Sequence, residues 1–241
     1  MTKYVLVHGA WHSGELLSPV AEYVRAARKE THVPTLAGNR AGETKDVGLE
    51  DAITSVTDYL EENDLTGVVL AGHSYGGMVI TGVADRVPER IRRLVYWNAF
   101  VPNAGESLID MVPEVFGGMF AQLAEGSGDN TITLPFPIWR EVFFNEGDLP
   151  AAQAAYERLN PQPYRTFADK IELSKNPAEM EIPKSYINGL NDAALPHSLG
   201  WHPRLSEKLG LFRLVQMMGG HETCFTDPKG TAEAILMAGR D

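Results

Sequence analysis

A single stretch, VVLAGHSYGGMVITGVA at residues 68–84, constrains the fold more than any other part of the 241-residue chain. Aliphatic and β-branched residues lead into Ser74, which has glycine two positions before it and two positions after it, and a helical pattern follows. A serine at a sharp strand-to-helix turn brings its neighbours against other backbone, and only glycine leaves room at Gly72 and Gly76. The turn lifts the hydroxyl above the sheet at a helix N-terminus, where amides and the helix dipole favour a developing negative charge. The sequence therefore predicts a nucleophile at Ser74, the alternative being a tight turn with only a structural role.

Around this turn, short apolar runs alternate with segments of helical period. The expected strands lie at 3–9, 31–36, 67–72 and 92–100, and the expected helices at 17–30, 49–63 and from Ser74 to about Asp85. This alternation predicts a mostly parallel, doubly wound sheet with helices on both faces. In such sheets, ligands bind at the carboxyl ends of the strands.

The alternation breaks between Pro113 and Met180, where prolines and aromatic residues are frequent, as in LPFPIWREVFF. Because long loops without secondary structure are uncommon, this segment is interpreted as an inserted helical cap. The predicted organisation is an α/β core of residues 1–112 and 181–241 with a cap at 113–180. In the second core segment we expect strands at 184–189 and 211–217, and helices near 199–209 and 228–239.

Composition narrows the classes of partner. The chain has 32 acidic and 21 basic residues, a net charge of −11, which argues against nucleic acid or an anionic membrane as a partner. No apolar run approaches the roughly 18 residues that cross a bilayer, and no secretory signal precedes YVLVHGA, so a cytoplasmic location is expected. The single cysteine, Cys224, excludes an internal disulfide and a multi-cysteine metal site, and we expect no cofactor and no metal. The oligomeric state stays open, with a homodimer among the alternatives.

A serine hydroxyl becomes a strong nucleophile only when a base takes its proton. Among seven histidines, His221 follows the last predicted strand in a glycine-rich turn, at the same end of the sheet as Ser74. His73 is adjacent to Ser74, so its ring is expected to point elsewhere. The base needs a carboxylate that fixes its tautomer, and Asp192 lies in the turn after the predicted strand 184–189. The alternative for Asp192 is an ordinary turn aspartate.

Acyl transfer also requires N–H donors for the oxyanion of the tetrahedral intermediate. One candidate is the backbone amide of Tyr75, directly after the nucleophile. The other is the amide of Ala10 in the turn VHGAWHSG that follows the first strand. The alternative for the second segment is a plain glycine turn at the end of a strand.

Four segments, YVLVHGAWHSG, AGHSYGGMVI, YINGLNDAALP and GGHETCF, together resemble the α/β-hydrolase superfamily. Within it they are similar to the small branch of plant methylesterases, plant hydroxynitrile lyases and bacterial esterase-like proteins. The resemblance covers the sheet and its loops and implies the α/β-hydrolase fold. It also implies a function for six residues: a catalytic triad of Ser74, Asp192 and His221, oxyanion donors at Ala10 and Tyr75, and a place near the substrate for His12.

Two positions refine this resemblance. Hydroxynitrile lyases of this branch carry a lysine directly after the histidine, where this chain has Glu222, which argues against cyanohydrin cleavage. Some members of the superfamily carry the acid after the strand that follows the nucleophile helix. Here that strand leads into Asn98, which cannot ionise, and this favours Asp192 as the acid.

The sequence thus predicts a serine hydrolase that cleaves a small carboxylic ester, or a lactone, through an acyl-enzyme. The expected partner is a small-molecule substrate with an apolar or aromatic part. Four aromatic residues are candidates for the pocket wall, each with core or cap packing as the alternative: Trp97, Phe100, Trp139 and Phe143. Since a fold does not fix a function, two other interpretations stay open. One is a non-hydrolytic enzyme, such as a cofactor-free dioxygenase or lyase, and the other is a small-molecule receptor.

Overall fold

The computed structural model describes residues 1–241. Six parallel strands form the central sheet in the spatial order β2-β1-β3-β4-β7-β8. These strands are β1 (Lys3–Val7), β2 (Glu30–His32), β3 (Val68–His73), β4 (Ile91–Trp97), β7 (Lys184–Gly189) and β8 (Arg213–Met217). A separate antiparallel ribbon pairs β5 (Thr131–Ile132) with β6 (Gln162–Pro163). The chain therefore has the mostly parallel sheet that the alternation predicts.

Helices cover both faces of this sheet. They are α1 (Ser18–Ala26), α2 (Leu49–Glu62), α3 (Gly76–Arg86), α4 (Glu114–Ser127), α5 (Phe136–Ile138), α6 (Leu149–Tyr156), α7 (Arg165–Ala168), α8 (Thr223–Thr226) and α9 (Pro228–Gly239). The apolar sides of α1 and α9 pack together on one face, with Val20, Val24 and Ile235 fully buried. The other face is covered by α2 and α3, and the larger core continues from there into the segment between β4 and β7. Because both faces are covered, every residue of β3 is buried.

Periodicity explains the best-predicted elements. In α2 the buried residues Leu49, Ile53, Val56 and Leu60 recur at helical spacing, which aligns one apolar stripe with the sheet. The prediction for 49–63 therefore matches the helix to within one residue. The last helix occupies 228–239, and Asp227 caps it by accepting a hydrogen bond from the Gly230 amide.

Three expected elements differ most from the structure. The helix expected at 199–209 is absent, and the connection from β7 to β8 holds only two 3₁₀ turns, His197–Leu199 and Ser206–Leu209. Pro203 stands in the middle of that segment, where its missing N–H and its ring oppose a continuous helix. Strand β2 ends at His32, two residues before Pro34, and α1 ends at Ala26, four residues before the expected end of the helix.

The segment between β4 and β7 lies over the carboxyl ends of the strands. The interval expected as a cap, 113–180, contains α4 to α7, a π-helical turn at Trp139–Phe143 and the ribbon β5–β6. The ribbon is an addition to the helical cap that the sequence predicts. Two-residue strands are too short to show the alternation by which strands are recognised. None of the helices combines the length and the apolar character that crossing a bilayer requires.

Candidate active site

Ser74 occupies the sharp turn between β3 and α3, with a φ of +53° in the left-handed region. For a residue other than glycine this conformation costs roughly 1–2 kcal/mol. Backbone hydrogen bonds hold it: the Ser74 N–H donates to the Trp97 carbonyl at 3.1 Å, and the Ser74 carbonyl accepts from the amides of Gly77 and Phe100. The turn is therefore fixed by its neighbours, as a strained residue requires.

The glycines around Ser74 lie where other backbone comes close. A Cβ atom on Gly72 would lie 2.6 Å from the Gly76 carbonyl oxygen, and one on Gly76 would lie 2.9 Å from the carbonyl oxygens of Val7 and His8. These distances are shorter than van der Waals contact allows. The close approach that the sequence predicts for the two glycines is thus present in the structure.

The structure brings together the three residues expected to form a triad. His221 follows β8, and its Nε2 lies 3.0 Å from the Ser74 Oγ. Its Nδ1 lies 2.7 Å from the Oδ2 of Asp192, and the other carboxylate oxygen of Asp192 accepts the Ala194 amide at 2.8 Å. The side chains of His221 and Asp192 are both buried. This arrangement can pass a proton from the hydroxyl to the imidazole and stabilise the resulting charge.

The surroundings of His221 favour its charged form. Burial by itself would lower the pKa of His221, but the charge of Asp192, the hydrogen bond to Asp192 and the charge of Glu222 together raise that pKa above its ordinary value. His73 behaves in the opposite way. Burial, together with the charges of His221 and His12, lowers the pKa of His73 well below its ordinary value. The neutral His73 ring donates from Nε2 to the His221 carbonyl at 3.0 Å, and this hydrogen bond helps to fix the backbone of His221.

Two backbone amides beside Ser74 have no hydrogen-bond partner within the protein, those of Ala10 and Tyr75. Both residues line the same cavity as Ser74. Next to Ala10, Trp11 has a φ of +63°, which turns the loop after β1 back over the sheet. Two free N–H donors beside a serine hydroxyl are an arrangement that can bind an oxyanion.

A cavity of about 340 Å³, measured out to its open mouth, lies above Ser74. Thirteen of its fourteen lining residues are hydrophobic, and the exception is Ser74 itself. Most of the wall is aromatic: Trp11, Tyr75, Phe100, Phe116, Phe120, Phe143, Phe167 and Trp201. No group of three or more His, Cys, Asp or Glu side chains is placed to hold a metal ion. The site is suited to an apolar ligand that presents one reactive polar group to Ser74.

Two of the four expected aromatic wall residues, Phe100 and Phe143, line this cavity. The expectation is wrong for the other two. Trp97 lies on the opposite side of the sheet, in the core beneath α1 and α9, with its ring 4.2 Å from that of His73. Trp139 is fully buried in the expected cap segment, where its indole N–H donates to the Ala152 carbonyl at 3.2 Å. Both are packing residues.

His12, expected near the substrate, also lies outside the cavity lining. Its Nε2 is 3.2 Å from the Oε2 of Glu222, and both side chains are almost completely buried. Burial would raise the pKa of Glu222, but the charge and close approach of the His12 imidazole, with smaller contributions from His221 and Cys224, lower that pKa below its ordinary value. A second histidine–carboxylate pair thus lies behind His221, and sequence reasoning did not identify it.

Sequence reasoning also missed several wall residues. Phe116 and Phe120 lie four positions apart on α4, a spacing that places both on one face and is a usable signal. Trp201 stacks on the imidazole of His221, with ring centres 5.2 Å apart and planes 14° apart. It lies in the segment wrongly expected to be a helix, and no local pattern marks it.

Comparisons with known proteins agree with this geometry. A family model described as the alpha/beta hydrolase family matches residues 4–234. The carbendazim hydrolyzing esterase of Nocardioides sp. (strain SG-4G) is 33% identical over 249 residues, covering 99% of this chain and 100% of that protein. The putative chloroplastic methylesterase 14 of Arabidopsis thaliana is 26% identical over 261 residues, covering 97% of this chain and 71% of that protein. The predicted resemblance to esterases and plant methylesterases is confirmed.

Among solved structures, one of a Paenibacillus species superposes with a TM-score of 0.96 at 39% identity and complete coverage of both chains. It is described as an extracellular alpha/beta-hydrolase with structural and functional homology to tobacco salicylic acid binding protein 2. The cytoplasmic location expected for this chain therefore stays a prediction. The parallel sheet, the strand–serine–helix turn and the match over residues 4–234 show that the chain belongs to the alpha/beta hydrolase family.

Proposed function

We propose that this chain is a serine esterase that hydrolyses small carboxylic esters with an apolar or aromatic acyl part. The observation that carries the proposal is the hydrogen-bonded chain from the Ser74 hydroxyl through His221 to Asp192 at the floor of an apolar cavity. The similarity to named esterases supports ester hydrolysis as the reaction class. A lactone would react by the same steps, since it is a cyclic ester.

In the first half of the reaction, the neutral His221 removes the hydroxyl proton of Ser74 at Nε2 while Oγ attacks the ester carbonyl carbon. The carbonyl oxygen becomes an oxyanion, which accepts hydrogen bonds from the amides of Ala10 and Tyr75. Asp192 accepts the Nδ1–H of His221 and stabilises the imidazolium. His221 then gives its proton to the leaving alkoxide, the carbon–oxygen bond breaks, and an acyl-Ser74 ester remains.

In the second half, water replaces the alcohol. His221 removes a proton from the water, the resulting hydroxide attacks the acyl carbon, and the same two amides bind the second oxyanion. His221 returns the proton to the Ser74 Oγ as the acid leaves. The enzyme is restored with no cofactor, because the acid and alcohol produced contain all the atoms of the ester and of one water molecule.

The cavity limits the substrate class. The space above Ser74 is small, about 340 Å³ even when its open mouth is counted. Its lining contains no Lys, Arg, Asp or Glu, so a charged acyl group would lose its hydration without a partner. The proposed substrates are therefore uncharged esters with short aliphatic or single-ring acyl groups.

The decisive experiment measures steady-state hydrolysis of p-nitrophenyl esters from acetate to octanoate by the wild type and by Ser74→Ala. Because Ser74 carries the acyl group, Ser74→Ala should lower kcat by at least about 10³-fold while the protein stays folded. The exposed Ser198, changed to alanine, is the matched control and should keep wild-type turnover. Mass spectrometry of the quenched wild type should detect an acyl adduct on Ser74.

Three outcomes contradict the proposal. Turnover retained in Ser74→Ala would assign the nucleophile elsewhere. A folded wild type that binds apolar ligands without turning over any ester would indicate a receptor. Activity that appears only in the presence of oxygen would indicate a cofactor-free dioxygenase.

A further inference from the structure

The loop that carries Ala10 forms hydrogen bonds to the ribbon β5–β6, which lies over it. The Trp11 N–H donates to the Oε1 of Gln162 at 2.9 Å, and the Trp11 carbonyl accepts the Asn160 amide at 2.6 Å. The indole N–H of the same tryptophan donates to the Ile132 carbonyl at 2.9 Å. Two of these hydrogen bonds join Trp11 to the ribbon residues Gln162 and Ile132, and the third joins it to Asn160, two residues before β6.

Gln162 is itself fixed in one orientation. It is fully buried, and its Oε1 also accepts from the Nδ2 of Asn39 at 3.0 Å. Its Nε2 donates to the Oγ1 of Thr166 at 2.8 Å, and that hydroxyl donates to the Pro163 carbonyl at 2.6 Å. A flipped amide would direct its NH₂ group at two other donors, so the network permits only the orientation in which oxygen faces Trp11.

The hydrogen bond between Trp11 and Gln162 affects the proposed oxyanion donor, the amide of Ala10. Trp11 is a non-glycine residue with a φ of +63°, so its conformation depends on surrounding contacts. The peptide that Gln162 binds joins Trp11 to Ala10, a residue that lines the cavity beside Ser74 and whose own N–H is free. Stabilisation of an oxyanion depends on donors held close to the position that the developing charge will occupy. An apolar residue would pack at position 162 without the cost of burying an amide, so a wall function alone does not explain a glutamine there.

We propose that Gln162 is a positioning residue that orients the Ala10 oxyanion donor through the backbone of Trp11. The ribbon then sets the geometry of transition-state binding as well as contributing to the cover of the site. This inference rests on the proposed esterase function.

The first test compares three variants with p-nitrophenyl butyrate. Gln162→Met keeps the length of the side chain but removes the acceptor, and it should lower kcat about tenfold with KM changed less than about twofold, because only the transition state loses binding. Gln162→Glu keeps an acceptor oxygen and should recover most of the rate. Gln153→Met, the same substitution on the exposed side of α6, is the matched control and should equal the wild type.

The second test separates positioning from pocket shape. A trifluoromethyl ketone forms a tetrahedral adduct with a reactive serine and presents an oxyanion, whereas the corresponding trifluoromethyl alcohol fills the cavity without forming the adduct. In Gln162→Met the inhibition constant of the ketone should rise about tenfold and that of the alcohol should stay constant. Equal weakening of both inhibitors, or an unchanged affinity for the ketone, would overturn the inference.

Failure of the proposed function is distinguishable from failure of this inference. A wild type that neither hydrolyses esters nor forms the ketone adduct contradicts the esterase proposal before any variant at 162 is made.

If Gln162→Met does not fold, Gln162→Asn takes its place. Its shorter side chain withdraws the oxygen from Trp11 but keeps a polar amide in the buried space, so the same selective loss of ketone affinity is expected.

Discussion

The ionisation of each buried histidine is decided by its immediate neighbours. Burial lowers the pKa of His8 to about 3, and His8 is neutral because its Nε2 accepts the Leu36 amide at 3.0 Å. Burial is also the main reason that the pKa of His73 falls well below its ordinary value. For His221 the effect of burial is exceeded by the charge of Asp192 and its hydrogen bond, together with the charge of Glu222, so the pKa rises. The same layer of the protein therefore keeps two histidines neutral and prepares a third to accept a proton.

The pH dependence of hydrolysis follows from this difference. Only neutral His221 can accept the Ser74 proton, so kcat/KM should rise with pH through a midpoint above the ordinary histidine pKa of 6.5. Glu222→Gln removes a negative charge that raises the pKa of His221, and the midpoint should move to lower pH. Asp192→Asn should move the midpoint in the same direction and also lower the plateau by about 10⁴-fold, because the imidazole loses its orienting partner.

The measurement is a pH profile of kcat/KM with an uncharged ester, checked by the NMR titration of the His221 ring. As the pH rises through the pKa of His221, the neutral, active fraction of its ring increases. The value of kcat/KM must therefore increase across the midpoint. A midpoint in Glu222→Gln that stays at or above the wild-type value would contradict the electrostatic account. Burial lowers the pKa of His8 to about 3, well below the pH range of this transition.

At the scale of elements, the strand–turn–helix unit of β3 and α3 depends on backbone contact. A Cβ atom on Gly77 would lie 2.1 Å from the Phe100 carbonyl oxygen. Gly77→Ala should therefore lower the free energy of unfolding by about 1–3 kcal/mol, since backbone must move to accept the methyl group. Gly118→Ala in α4 is the matched control: nothing lies within 4 Å of its Cβ position, and alanine should stabilise the helix by about 0.5–1 kcal/mol.

Urea unfolding of the two variants and the wild type measures both effects. Gly77→Ala should lower the free energy of unfolding and Gly118→Ala should raise it, although both replace glycine by alanine. If Gly77→Ala were as stable as the wild type, the close approach of α3 to the loop after β4 would not constrain the turn. In that case the pattern around Ser74 would have another cause.

The same elements indicate how far local sequence predicts the fold. Helix α2 and helix α9 were predictable because a stripe of apolar residues or a capping residue appears within the element itself. The connection from β7 to β8 was not, because the apolar spacing in 199–209 resembles a helix while Pro203 opposes one. The ribbon β5–β6 was not predictable either, since its four residues pair only through the fold of the whole segment.

In the candidate site, too, local sequence predicts some features and not others. Ser74, Asp192 and His221 each follow a strand, and the carboxyl ends of parallel strands meet at one edge of the sheet, so their proximity could be predicted. The cavity wall depends on how the segment between β4 and β7 packs, which no local pattern records. Trp97 and Trp201 lie in different places for different reasons: the alternation of side chains along β4 places the first on the far side of the sheet, and a loop places the second on the His221 ring.

At the scale of the whole molecule, the segment that covers the sheet forms hydrogen bonds to three loops of the site, those of Trp11, Asp192 and His221. Besides the ribbon on Trp11, Glu146 accepts hydrogen bonds from the side chain of Asn191 and the amide of Gly220, and Asn145 donates to the Asn191 carbonyl at 2.9 Å. Asn191 precedes Asp192, and Gly220 precedes His221. The acid and base loops are thus joined through one turn of the covering segment. The site is consequently a property of the complete fold and not of the sheet alone.

The charge of the whole molecule and the apolar cavity together predict a preference for uncharged esters. The chain has a net charge of −11, and no Lys or Arg lines the cavity. The p-nitrophenyl esters of 4-methylpentanoic acid and of succinic acid have acyl groups of similar shape, but the second carries a carboxylate. We expect kcat/KM for the succinate ester to be lower by at least about 100-fold, because its carboxylate loses hydration in an apolar site.

Two contributions to that difference can be separated by salt. Long-range repulsion from the negative surface is screened as ionic strength rises, whereas the cost of dehydrating the carboxylate in the cavity is not. Raising the salt concentration from about 0.01 to 0.15 M should therefore increase kcat/KM for the succinate ester a few-fold and leave the 4-methylpentanoate ester unchanged. Most of the preference should persist at the higher salt concentration. Equal rates for the two esters would mean that the acyl group stays in solvent during the reaction, and the cavity above Ser74 would then not be the acyl site.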